Sequence, residues 1–196
     1  VNLAHAIDLF AAAIKPMRPV RGGVRQVDLP KYKERVNKRL LKLLKEHQTG
    51  GITLKRFDVN VRAQLKLAYQ DAFRMGTGKK KIDAKDGKWI EKVSKRQMKY
   101  FDGFINDLVD DVGTMPLEQR LSLYTGALDR MFWSGTVKRA SRHTQFNWVV
   151  MPGDNCDDCQ ELEDGGPYYR DELPTVPGAG DTACLMNCKC QLIPVE

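Results

Sequence analysis

Cysteine is missing from the first 155 residues of this 196-residue chain, and histidine occurs only as His5, His47 and His143, each in a different stretch. No histidine has a sequence neighbour that forms a nucleophile and base pair, and Gly76-Thr77-Gly78-Lys79 lacks the flanking pattern of a phosphate-cradling P-loop. A cysteine nucleophile served by His143 is the catalytic pairing to weigh. Clustered thiols are better explained as ligands, so no enzyme is expected. No apolar run approaches the ~20 residues that cross a bilayer, and no membrane partner is expected. Val1 to Ile14 carries Asp8 and has no basic start, so it does not read as a secretory signal.

Acidic residues are scarce over most of the length. Residues 1–150 hold 30 of the 32 Lys and Arg but 15 of the 25 Asp and Glu, whereas residues 151–196 hold 2 basic and 10 acidic side chains. A basic body followed by an acidic tail suits a polyanion, nucleic acid first, because phosphate contacts are what excess Lys and Arg supply. A solvated helical surface, or a docking face for an acidic protein, fits the same composition. The acidic tail is itself a candidate partner of the body, in cis or in a neighbouring subunit.

Apolar spacing lays out a mainly α chain. Residues 2–14 read as a short amphipathic helix stopped by Pro16, and residues 15–30, with three prolines, Gly22-Gly23 and the four basic residues Lys15, Arg18, Arg21 and Arg25, read as an extended arm. Lys31 to His47 has Val36, Leu40, Leu43 and Leu44 at helical spacing, and Thr49-Gly50-Gly51 ends it. A second helix, about Thr53 to Met75, closes at Gly76-Thr77-Gly78 and should pack antiparallel on the first. Lys79-Lys80-Lys81 reads as a solvated connector. A third helix spans Lys88 to about Val112, where Asp107, Asp110 and Asp111 are expected to be solvated charge rather than a metal site. A fourth begins near Thr114, with Pro116 and Glu118 in its first turn, and runs to about Ser141, with Gly126 and Gly135 permitting close approach or a bend. Thr144 to Met151 then alternates Phe146, Trp148 and Val150 with other types, the period of a strand.

All five cysteines follow: Cys156 and Cys159 as C-x2-C, then Cys184, Cys188 and Cys190. The first pair can place two thiolates on one ion from a single tight turn, and a cluster returning from a long loop can complete the tetrahedron. Residues 160–183 are rich in glycine and proline and poor in apolar side chains, so a structural zinc is expected to hold them. Disulfides would leave one cysteine over, and reduced unliganded thiols are the remaining reading. Four of the five are expected to ligate: either Cys188 and Cys190 join the first pair with Cys184 spare, or Cys184 and Cys190 do so with Cys188 packed inward.

The residues from Trp148 through Cys156-Asp157-Asp158-Cys159, Leu162, Gly166, Tyr168, Leu173-Pro174, Pro177, Gly178 and Gly180 to Cys184-Leu185-Met186-Asn187-Cys188-Lys189-Cys190 and Leu192 resemble the head-morphogenesis, or minor head, proteins of tailed bacteriophages, the phage Mu F-like group. The helices before them, with Arg74-Met75-Gly76, look like the helical portion of that group; about 80 residues, from Pro116 on, carry the specific part. Many relatives place a histidine three residues before the first cysteine of the Asn-Cys-x-Cys element. This chain has Leu185 there and Cys184 one residue earlier, a ligand exchange that zinc accepts. The resemblance implies a virion component made in the host cytoplasm and present in a few copies in or near the head, as part of a multi-copy assembly. It would meet the portal, the major capsid protein or packaged DNA, and act in head assembly or DNA ejection. A stand-alone zinc-containing nucleic-acid-binding protein is the alternative, against which the lack of C2H2-type spacing argues. The expected organisation is an N-terminal helix and arm over 1–30, an antiparallel helical body over 31–143, and a small irregular and β zinc-knuckle module over 144–196.

Overall fold

The computed structural model describes residues 28–110, 112–113, 115–153 and 155–195. The expected helix over 2–14, the arm up to residue 27, Asp111 and Thr114, near which the fourth helix was expected to begin, lie outside them. The chain is mainly helical, with a small antiparallel sheet and the cysteine cluster at its far end.

Helix α1, Asp28–Gln48, starts three residues earlier than its periodicity suggests, because Pro30 falls in the first turn, where no intrahelical N–H is needed. Leu29, Tyr32, Val36, Leu40 and Leu44 form its buried stripe. Gly50, at φ 75°, makes the turn into α2, Leu54–Thr77. The Thr53 hydroxyl caps α2 by accepting the Arg56 N–H at 3.3 Å, and Gly78 ends it at φ 66°. Phe57, Val61, Leu65, Ala68, Tyr69, Ala72 and Phe73 of α2 are all buried, which makes it the central helix, packed by α1 and by the two longer helices that follow.

Helix α3, Ala84–Asp110, also begins earlier than expected. The Asp83 carboxylate accepts the Asp86 N–H at 2.8 Å and organises the first turn. Lys79, expected to be solvated, pairs with Asp83 and with Asp86, each at 3.0 Å. The Asp86 side chain is fully buried and also pairs with Lys138. Phe101 and Phe104 of α3 join Phe57 and Tyr124, with Phe101 and Tyr124 edge to face at 5.3 Å. Burying one such ring contributes about 1.5–3 kcal/mol.

The fourth predicted helix is two: α4, Leu117–Leu123, and α5, Ala127–Arg139. The break falls at Gly126, where a Cβ would come within 2.9 Å of the Met186 carbonyl oxygen, so the cysteine segment packs into the bend. Asp107 pairs with Arg120 across the α3–α4 connection. Strand β1, Gln145–Val149, buries Phe146 and Trp148 on one face as alternation requires. It is the middle strand, antiparallel to β2, Tyr168–Tyr169, and to β3, Gln191–Val195. Between them stands α6, Asp157–Asp164, in a stretch expected to be largely turns. Phe146, Trp148, Leu192 and three of the cysteines belong to the same continuous core as the helices.

Candidate metal centre

Two short turns present the thiols. Cys156 is the N-cap residue of α6 and Cys159 sits in its first turn, with the Cys159 N–H donating to the Cys156 carbonyl at 3.0 Å. Cys184 and Cys188 bracket a 3-10 turn, Leu185–Asn187, in which the Asn187 N–H reaches the Cys184 carbonyl at 3.0 Å. Leu185 takes a positive φ of 52°, a costly setting for a side chain with Cβ, and projects into solvent. Cys190 stands immediately before β3 and is buried.

None of the five sulfurs is in a disulfide. Cys159 Sγ lies 3.6 Å from Cys184 Sγ and 3.8 Å from Cys188 Sγ. Two triads have all their sulfurs within 4.8 Å of one another, Cys156–Cys159–Cys184 and Cys159–Cys188–Cys190, and Cys159 is common to both. Every cysteine expected from the spacing is therefore in the cluster. The cluster could hold a metal ion.

Burial pushes the Cys159, Cys184 and Cys188 thiols up, and the neighbouring thiols crowded against Cys159 add to the rise. Cys156 goes the other way: burial is the largest single influence and raises it, but the backbone N–H groups of Cys184 and Cys159 and hydrogen bonds from their thiols together hold it below an ordinary thiol. A cation among these sulfurs would supply the charge that the buried thiolates lack, so binding would release protons.

The supporting groups were not legible in the sequence. Asp158 Oδ2 accepts the Ala183 N–H at 2.7 Å, tying the first knuckle to the second, and Thr182 Oγ1 lies 3.3 Å from Cys184 Sγ. Glu163 Oε1 accepts the Val150 N–H at 2.9 Å. The intervening loop, expected to rely on metal alone, is also pinned to the helices: Arg130 donates to the Ala179 carbonyl at 3.3 Å and Arg170 to that of Ala140 at 2.9 Å. A groove of about 890 Å³ opens beside Cys188 and Cys190, walled also by Leu29, Lys33, Asp129 and Trp133.

Neither described histidine belongs to these triads. His47 stacks on Phe57 with ring centroids 5.5 Å apart and its Nδ1 lies 3.2 Å from the Ile52 carbonyl oxygen, while His143 is exposed in the turn before β1. His5 lies outside the described residues. Comparison of the chain with protein-family models, with curated proteins and with solved structures gives no match.

Proposed function

We propose that the thiol cluster is a structural zinc site and that the chain is a bacteriophage virion protein of the minor head, or head-morphogenesis, kind. The observation that carries the metal reading is the placement of Cys159 Sγ at 3.6 and 3.8 Å from thiols 25 and 29 residues away. Sulfurs held ~2.3 Å from a central zinc stand about 3.8 Å apart along each tetrahedral edge. An all-thiol donor set favours zinc over magnesium, calcium or manganese, which prefer oxygen.

A metal here would act on shape. Cys188 and Cys190 line the groove against α1 and the α4–α5 bend, so fixing them fixes a surface on which a neighbouring subunit can seat. The reading of that neighbour as the portal or the major capsid protein rests on the resemblance of the Trp148–Leu192 residues to phage head proteins. The acidic module and basic body give such a subunit two faces of opposite sign for assembly.

Two measurements test this. Metal analysis of chain purified without added metal is expected to give one zinc per chain, and zinc-free protein with full thiol titre would overturn the metal reading. Expressed together with portal and major capsid protein, the chain is expected to sediment with assembled heads; its complete recovery in the soluble fraction would overturn the assignment to the head.

A further inference from the structure

The outer ridge of α3 is made of Lys85, Lys88, Lys92, Lys95 and Lys99. Steps of three and four residues keep all five on one side of the helix, opposite buried Ile90, Gln97, Phe101 and Phe104. All five are exposed. From the first to the last the ridge runs about 21 Å at ~1.5 Å per residue.

A solvated helix face ordinarily mixes signs, as α1 does with Lys38 paired to Glu34 at 2.7 Å and Lys42 to Glu46 at 3.8 Å. The five α3 lysines pair with no carboxylate among the described residues. Asp86 is turned inward and held by Lys79 and Lys138, and Glu91 lies to one side of the ridge. Lys80 and Lys81, both exposed in the connector before α3, add to the same end of the chain's charge. Like charges three and four residues apart repel along a helix, so the ridge carries an intrinsic penalty that an outside polyanion would relieve.

We propose that this ridge is a binding surface for the phosphate backbone of double-stranded DNA and does not read its sequence. Lysine ammoniums are point charges that neutralise phosphates without reading base edges, and exposed Arg96, which borders the ridge four residues after Lys92, is engaged by Tyr100, its Nε donating to the hydroxyl at 3.3 Å. One exposed ring, Tyr100, stands beside the ridge and is occupied by Arg96, so there is no series of aromatic rings on which a single strand would stack successive bases. A protein partner fits less well, because protein interfaces build apolar centres from which lysine is depleted. The inference extends the proposed function to one partner and stands on residues remote in sequence from the thiols. A chain that binds duplex but carries no zinc overturns the metal reading alone; a zinc-loaded chain that ignores duplex overturns this one alone.

The test is fluorescence anisotropy of a labelled 20-bp duplex of mixed sequence with the full metal-replete chain, from 50 to 200 mM salt. Wild type is expected to bind with a steep salt dependence. Replacing the five ridge lysines by glutamine is expected to flatten the log–log salt slope by about 4–5, close to 0.9 per lost phosphate contact. Replacing them by arginine should retain binding. Replacing Lys31, Lys38, Lys42, Lys45 and Lys55, five exposed lysines elsewhere, should change the slope by far less. Equal losses in the two glutamine variants would reduce the effect to overall charge and overturn the ridge. So would wild type that ignores duplex at 50 mM salt, or that uses the ridge only to bind acidic protein or its own copies. The five ridge side chains are exposed and pair with no carboxylate among the described residues, so both ridge variants are expected to keep the wild-type melting temperature, while the comparison set loses only the surface pairs of Lys38 and Lys42. Retained binding by a folded glutamine variant of the ridge overturns the proposal outright.

Discussion

Gly76 and Gly135 lie against each other where α2 crosses α5. A Cβ on Gly76 would stand 2.0 Å from the Phe132 carbonyl oxygen, and a Cβ on Gly135 would stand 2.4 Å from that of Phe73 and 3.2 Å from Gly76 Cα. Both obstacles are backbone, so neither can swing aside as a flexible side chain would. Alanine at either position is expected to part the helices and cost about 1–3 kcal/mol or more, read from denaturant midpoints. Gly103 of α3 is the control: nothing lies within 4 Å of its Cβ direction, and alanine there should add about 0.5–1 kcal/mol. Equal effects at the three sites would refute the close crossing.

Removal of Cys159 is expected to do more harm than removal of any other cysteine, since it alone belongs to both thiol triads. Cys159→Ser should lose the metal, while single substitution of Cys184 or of Cys190 leaves the other triad whole. A structural zinc contributes on the order of 10 kcal/mol to a small module. Excess chelator should therefore lower the melting temperature of wild type and leave that of Cys159→Ser where it is. Full metal content in Cys159→Ser would show that the shared position has no special role.

Asp86 predicts an asymmetry. Its side chain is fully buried, whereas those of Lys79 and Lys138 are 47 % and 39 % exposed. Neutralising both lysines strands a buried carboxylate and is expected to cost about 3–5 kcal/mol. Asp86→Asn leaves two ammoniums that can turn to water, and should cost less. The opposite ranking in thermal melts would mean that water already reaches Asp86.

Much of this architecture was legible from apolar spacing. Val36, Leu40 and Leu44 set the inner face of α1, and Phe146 and Trp148 set that of β1, because burial of one face leaves a fixed period in the sequence. Spacing has no means of finding Asp86, whose burial depends on a lysine 52 residues away. The same limit explains α6: Asp157-Asp158-Cys159-Gln160-Glu161-Leu162-Glu163-Asp164 has one strongly apolar residue, so the neighbouring glycines and prolines dominated the reading. That the two cysteine runs would meet was readable from spacing, with four of the five expected at the ion; the sharing of Cys159 between two triads depended on how α6 and the 3-10 turn face each other.

Acid should remove the cap of α3 at a predictable point. Asp83 is held down at about 2, first by the Asp86 N–H and then by the Lys79 ammonium. Its folded value lies below the ordinary 3.8, so its stabilising contribution is complete above that pH and fades as the pH falls toward 2. Asp83→Ala is expected to melt below wild type at neutral pH and to converge with it near pH 2. Asp71 and Asp129 are pushed up by burial and act in the opposite sense, favouring the native state as pH falls. The paired comparison of variant and wild type therefore isolates the cap, and parallel melting curves at every pH would exclude it.

β1 and β3 pair residue for residue from Gln145 with Val195 to Val149 with Gln191. Gln191 follows Cys190 directly, and Val149 leads within seven residues to Cys156. Backbone pairing thus shortens the effective ring that an incoming ion must close, since much of the loop-closure entropy is lost when the strands meet. At the proposed zinc site, uptake would then be a local capture step whose rate follows the supply of ion, and loss of the ion would loosen first the two knuckles that the strands bring together.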